Sequence, residues 1–196
     1  MRRIALTGGI ATGKSYVRAR FEALGLPAAD ADAIVHELLR EADVVARVSA
    51  RFGPAVLDPA GVVDRRALGR LVFGDAAARA GLEGILHPLV YQRVARWMAS
   101  QRRAGTRAAL ADIPLLFETG HEHDFDVVVV AACDPAEQVR RAVARDGSSE
   151  EAVRARLAAQ WPIGEKVARA DHVIRTDGPF EETDRQVEAL YRVLVA

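Results

Sequence analysis

The chain has 196 residues, half of them hydrophobic, and its 27 basic side chains balance 27 acidic ones, so the formal net charge is zero. That length suits one compact domain, and the neutral balance excludes a chain-wide electrostatic footprint for nucleic acid or an anionic membrane. A single cysteine, Cys133, excludes an intramolecular disulfide and a cysteine-ligated metal site, and no apolar run approaches the roughly eighteen residues of a membrane span, so a soluble cytoplasmic protein is expected.

The first element is an apolar strand over residues 3–7. It runs into Gly8-Gly9-Ile10-Ala11-Thr12-Gly13-Lys14-Ser15, which satisfies the phosphate-loop pattern G-x-x-x-x-G-K-[ST] at every fixed position. A helix over 16–24 follows, with Val17, Phe21 and Leu24 at helical spacing. Strand, glycine turn and helix together make an anion cradle, in which backbone N–H groups and the helix N-terminus face phosphate oxygens. Lys14 is expected to reach the β- and γ-phosphates, and the Ser15 hydroxyl to ligate the Mg²⁺ that bridges them. Gly8, Gly9, Ala11, Thr12, Gly13, Lys14, Ser15 and Tyr16 are therefore the expected nucleotide contacts. Lys14 is also one of only two lysines in the chain, the other being Lys166. A guanine-reading N-K-x-D motif is excluded, because the chain contains no asparagine.

A short extended segment over 27–30 then leads to Asp30 and Asp32. At the C-terminal end of a strand in an open α/β sheet, such carboxylates face the ligand crevice. Asp32 reads equally well as the cap of a helix over 33–40. Residues 33–103 carry a helical pattern with breaks at Gly53-Pro54, Asp58-Pro59-Ala60-Gly61 and Gly74-Asp75, and no strand signal intervenes. So long a helical stretch between strands reads as an insertion that holds a second substrate. Within it His87, ahead of Pro88, reads on residue type alone as a structural histidine.

A second strand, 107–113, must stop at Pro114, which has no N–H for a ladder, and this leaves Asp112 at its tip, near Mg²⁺ or substrate or in a turn. His121-Glu122-His123-Asp124 lacks metal-ligand spacing and reads as a polar loop. The run Val127-Val128-Val129-Val130 is that of a strand buried on both faces of a parallel sheet. A helix over 135–145 places Gln138, Arg141 and Arg145 on one face, and Ser148 with Glu151 has capping-box spacing for a second helix through residue 160. Two arginine-lined helices joined by a polar turn read as a lid that brings guanidinium groups to transferring phosphate. A last strand, 171–175, and an amphipathic helix, 180–194, close the chain.

Taken in order, these residues resemble the bacterial dephospho-coenzyme A kinase family over essentially the full length. The resemblance rests on Leu6-Thr7-Gly8-Gly9-Ile10, Asp30-Ala31-Asp32, Phe52-Gly53, Asp64-Arg65, residues 82–88 ending in His87-Pro88, Asp112-Ile113-Pro114-Leu115-Leu116-Phe117-Glu118, Gln138 with Arg141, and Ala170-Asp171. It implies transfer of the γ-phosphate of ATP to the ribose 3′-hydroxyl of dephospho-CoA. It also implies a P-loop, nucleoside-monophosphate-kinase-like three-layer α/β fold with a parallel central sheet: one domain over 1–196, with a helical substrate region over about 32–103 and a lid over about 141–165. Carried over residue by residue, Asp32 is the base for the 3′-hydroxyl, Lys14 and Arg141 stabilise phosphate charge, and Arg145 joins the nucleotide contacts. Asp30, His87, Asp112 and Leu115 fall on the substrate side. The implied ligands are ATP, Mg²⁺ and dephospho-CoA, with the chain acting as a monomer. The alternative from the residues alone is another P-loop kinase, of a nucleoside monophosphate or a small metabolite.

Three positions depart from the family pattern. Ala11 stands where glycine is usual, a replacement compatible with the cradle if its φ is negative. Tyr16 replaces a small or aliphatic residue, and Thr176 replaces an asparagine usual near the adenine.

Overall fold

The computed structural model describes residues 1–196, apart from the side chain of Phe73. Five strands form one sheet: β1 (Arg2–Gly8), β2 (Ala28–Asp30), β3 (Ala108–Asp112), β4 (Val127–Ala132) and β5 (His172–Arg175), in the order β2-β3-β1-β4-β5. β1 pairs in parallel with β3 and with β4, and β4 in parallel with β5. The chain thus crosses from β1 to the edge strand β2, returns to β3 beside β1, and then passes to the other side of β1 through β4 and β5. In such a doubly wound sheet the crevice for ligands opens at the C-terminal ends of the strands beside that reversal, and the glycine loop leaves β1 there.

The strands are central because they are apolar throughout. Ile4, Ala5 and Leu6 of β1, all five residues of β3, and Val129 to Ala132 of β4 are buried, as a parallel sheet covered on both faces requires. On one face lie α1 (Lys14–Ala23) and α9 (Phe180–Val195), whose Val17, Phe21, Val187, Leu190 and Leu194 join Ile4, Leu6, Leu110, Val129 and Ile174 in one core cluster. Asp184 of α9 accepts a hydrogen bond from the Tyr16 hydroxyl (2.8 Å) and pairs with Arg20 Nε (2.8 Å), which ties the two helices at their polar edge.

Two compact units divide the chain: Met1–Ala29 with Met98–Ala196, the sheet unit, and Asp30–Trp97, the helical unit. The helical unit contains α2 (Ala31–Leu38), α3 (Ala42–Phe52), α4 (Arg65–Phe73) and most of α5 (Ala76–Arg103). Its core includes Leu38, Val44, Val48, Leu68, Leu86 and Val90. Aspartates start α4 and α5. Asp64 accepts from the N–H groups of Arg66 and Ala67, and Asp75 from those of Ala77 and Ala78. A β-bridge between Leu57 and Val63 closes the turn over 58–61, one of the breaks expected from sequence.

The remaining helices, α6 (Pro135–Asp146), α7 (Glu150–Ala158) and α8 (Ile163–Ala168), lie between β4 and β5. The cap of α7 differs from expectation. Ser149, not Ser148, starts this helix, in extended backbone with its hydroxyl accepting from the N–H of Ala152. The helix therefore begins one residue later than a Ser148–Glu151 capping box requires. α8 was not legible: six residues after Pro162 are too few to show a period. Among the described residues, no helix is long and apolar enough to cross a membrane.

Candidate active site

The glycine loop is shaped by three different constraints. Gly13 sits in the left-handed region at φ 78° as the N-cap of α1, no side chain caps that helix, and its carbonyl accepts from the N–H groups of Tyr16 and Val17, which leaves those of Lys14 and Ser15 as the donors at the helix start. Gly8 and Gly9 are required by close approach instead. A Cβ on Gly8 would lie 2.7 Å from the Ala131 carbonyl, and one on Gly9 would lie 2.5 Å from Gln138 Nε2. Thr12 is fully buried and folds the loop on itself by donating from its hydroxyl to the Gly9 carbonyl (2.9 Å).

Ala11 does not meet the condition of a negative φ. It stands at φ 58°, the one non-glycine residue with positive φ among the described residues. A side chain in this region costs about 1 kcal/mol or more, which the surrounding loop contacts impose. Ile10 beside it is gripped from both sides: Gln138 Nε2 donates to its carbonyl (2.8 Å), and its N–H donates to Gln160 Oε1 (3.2 Å). Ile10 and Ala11 also pack on Val139, Ala142 and Val153 of α6 and α7. Ala11→Gly is expected to raise unfolding stability by about 1 kcal/mol, or about 2–4 °C in Tm. Thermal denaturation checks this, and a lowered midpoint would contradict it.

Lys14, the first residue of α1, pairs with Asp112 Oδ1 at the tip of β3, and Arg18 one turn later approaches Asp112 Oδ2 at 3.2 Å. Asp112 is 2 % exposed and Lys14 is 13 % exposed. The β1–β3 register sets Leu6 opposite Asp112, so the loop lysine and the carboxylate come from adjacent strand ends. Ser15 is exposed, as a hydroxyl offered to a ligand must be. Leu115 is half-buried in the turn after β3, and its carbonyl accepts from the Thr119 hydroxyl (2.7 Å). Tyr16 is directed at Asp184 and packs tilted against Phe180 with ring centroids 4.7 Å apart, and its hydroxyl pKa is raised by the hydrogen bond to that carboxylate.

On α6, Arg141 makes a chain of contacts that ends at the loop. Its Nε donates to Glu137 Oε1 (2.6 Å), its Nη2 to the Thr176 carbonyl (2.6 Å) and its Nη1 to the Thr176 hydroxyl (3.2 Å). That hydroxyl donates in turn to the Thr12 carbonyl (2.8 Å). Thr176 therefore connects the α6 arginine to the loop. Arg145 points elsewhere, onto Asp146, which Arg156 of α7 also holds (2.6 Å). Asp146 is kept well below the usual carboxylate range by hydrogen bonds from Arg145 and Arg156. Glu137 is pulled down to about 2 by hydrogen bonds from Arg140 and Arg141. A carboxylate with a lowered folded-state pKa contributes stability that is complete above its unfolded value, 4.5 for Glu137, and is lost as pH falls toward about 2. Unfolding midpoints between pH 6 and 2.5 should fall across that window. Glu137→Gln should flatten the slope, and an unchanged slope would remove Glu137 from the effect.

In the helical unit, Asp30 is the cap of α2: its Oδ1 accepts from the N–H of Asp32 (2.9 Å) and of Ala33 (3.4 Å). The capping alternative for Asp32 is thereby corrected. Asp32 occupies the second position of the helix, exposed. His87 lies within α5, immediately before Pro88, and is half-buried.

The family model described as dephospho-CoA kinase matches residues 2–182. The chain belongs to the dephospho-CoA kinase family. A dephospho-CoA kinase of Geobacillus kaustophilus is 44 % identical over 190 residues, covering 96 % of this chain and 94 % of that relative. The crystal structure of TT1252 from Thermus thermophilus superposes with a TM-score of 0.83 at 35 % identity, covering 100 % of this chain and 98 % of the other. The dephospho-CoA kinase of Campylobacter jejuni gives 0.68 at 26 % identity, covering 99 % and 97 %. Family membership makes this dephospho-CoA kinase homologue a phosphotransferase of the last step of CoA biosynthesis with an α/β P-loop kinase fold, and it favours that reading over another metabolite kinase.

Proposed function

We propose that the chain transfers the γ-phosphate of Mg²⁺-bound ATP to the ribose 3′-hydroxyl of dephospho-CoA, as a cytoplasmic monomer. The observation that carries the phosphate side is the loop itself: an uncapped helix N-terminus at Gly13 preceded by a turn in which Gly8 and Gly9 leave no room for a side chain. Lys14 and Arg141 bring positive charge to the phosphates, where charge spreads over the equatorial oxygens during transfer. Asp32 accepts the hydroxyl proton and orients the attacking oxygen. The bond from that oxygen to phosphorus forms as the bond to the ADP leaving oxygen breaks.

The donors available suit Mg²⁺ carried in on the nucleotide. Ser15 offers a hydroxyl and Asp112 a carboxylate, both hard oxygen ligands, and among the described residues no group of three or more His, Cys, Asp or Glu side chains could hold a metal unaided. When bound there, the ion would supply positive charge to offset that of the phosphates. Asp112, already paired with Lys14, holds that lysine at the strand tip until phosphate competes for it.

The experiment is ATP consumption by the purified protein with Mg²⁺, comparing dephospho-CoA, AMP and no acceptor. Turnover that depends on dephospho-CoA is expected. Turnover with AMP alone would overturn the acceptor assignment.

A further inference from the structure

Lys166 is the second of the chain's two lysines among 27 basic residues, and it is the one with no assigned part in phosphate binding. It is wholly buried in α8. Its ammonium lies 2.7 Å from Glu118 Oε1, 3.2 Å from the Pro114 carbonyl and 3.4 Å from the Gly8 carbonyl. Three oxygens thus meet the three donors of one ammonium.

The place where it does so is specific. The β1–β3 ladder makes its last main-chain bond from the Ile113 N–H to the Leu6 carbonyl (2.9 Å). Donors along β3 alternate between its neighbours, Leu110 to the Pro27 carbonyl beside β2 and Ile113 to Leu6 of β1, and past Ile113 the chain turns so that the Gly8 and Pro114 carbonyls both face the Lys166 ammonium. Lys166 bridges them: Gly8, the first residue of the glycine loop, on one side, and Pro114, two residues past the Lys14 partner Asp112, on the other. Thr7 adds a bond from its hydroxyl to the same Pro114 carbonyl (3.2 Å). Glu118 Oε1 also accepts from the Trp161 N–H (2.9 Å), which brings the segment after α7 into the same cluster. Burial lowers the Lys166 pKa, and the hydrogen bond and charge of Glu118 oppose that shift. A buried ion pair of this kind is weak evidence for stability. An arginine fork, used by this chain at every Lys/Arg position other than 14 and 166, is planar and cannot converge on three such oxygens.

We propose that Lys166 is a positioning residue for phosphoryl transfer: through the Gly8 and Pro114 carbonyls and Glu118, it sets the offset between the start of the phosphate loop and the strand end that carries Asp112. The inference rests on the phosphate-loop reading of the site. Lys166 touches no reacting atom in this account. It acts on the nucleotide side, so its loss should register against ATP and not against the acceptor.

The test compares wild type with Lys166→Arg and with the double variant Glu118→Gln/Lys166→Met, which removes both buried charges yet keeps an oxygen acceptor for the Trp161 N–H. Expected for the double variant is an unfolding midpoint equal to or above wild type, a loss of about tenfold or more in kcat/KM for ATP, a KM for dephospho-CoA within about twofold of wild type, and ADP affinity weakened about tenfold. Lys166→Arg, which keeps the charge but not the geometry, should not restore activity. A folded double variant with kcat/KM for ATP and ADP affinity near wild type would overturn the proposal, as would equal losses toward both substrates. Wild-type turnover reports separately on the acceptor assignment, and ADP binding tests Lys166 whatever the acceptor proves to be.

Discussion

Asp32→Ala is expected to lower turnover about 10²-fold or more while leaving ATP affinity nearly unchanged. The structure makes this a clean substitution. Asp32 is exposed, its side chain is not the cap of α2, and the bond that starts the helix runs from its own N–H to Asp30, which any residue but proline can supply. The only local loss is a carboxylate near a helix N-terminus, worth about 0.3–1 kcal/mol. A fall in turnover with an unchanged unfolding midpoint therefore assigns Asp32 to proton transfer or to orientation of the hydroxyl. Unaltered turnover would remove it from the mechanism. The matching change at Asp30 should behave oppositely. Asp30→Ala strips a cap that holds two N–H groups, so its main cost is in stability, about 1 kcal/mol.

Lys14→Met should impair both phosphate binding and rate, with kcat/KM for ATP reduced about 10²–10³-fold or more, the scale of losing one preorganised charge at a transition state. Methionine keeps most of the side-chain volume. Asp112, almost fully buried, keeps the Arg18 guanidinium at 3.2 Å, so its charge is not left alone and the fold should persist. Steady-state kinetics with circular dichroism checks both halves. Full activity in a folded Lys14→Met protein would sink the phosphate-loop assignment.

These predictions depend on features that differ in how far the sequence reveals them. The phosphate loop is contiguous, so its eight residues display the pattern without help from the fold. Pro114 marks the end of β3, and the valine run marks β4, because each follows from backbone chemistry at one place in the chain. Ala11 shows where local reading ends. Alanine ordinarily takes negative φ, and part of what surrounds it at 58° comes from more than a hundred residues away: Gln138 and Gln160 bond the neighbouring Ile10, and the α6–α7 surface packs on both residues. Thr176 is similar. Its hydroxyl meets Thr12 across 164 residues of sequence, and no spacing rule points there. Lys166 carried a weak signal as a lysine in an arginine-rich chain, but its partners, 158 residues away at Gly8 and 52 at Pro114, are supplied by topology.

The family assignment and the loop geometry converge on one chemical event, and the fate of the phosphoryl group tests it most directly. Incubation of the protein with Mg²⁺, ATP and dephospho-CoA, followed by ³¹P NMR of the products, should show ADP together with a new phosphomonoester on the ribose 3′-oxygen of the acceptor. Inorganic phosphate without a phosphorylated acceptor, or a phosphoryl group on any other oxygen, would contradict the account.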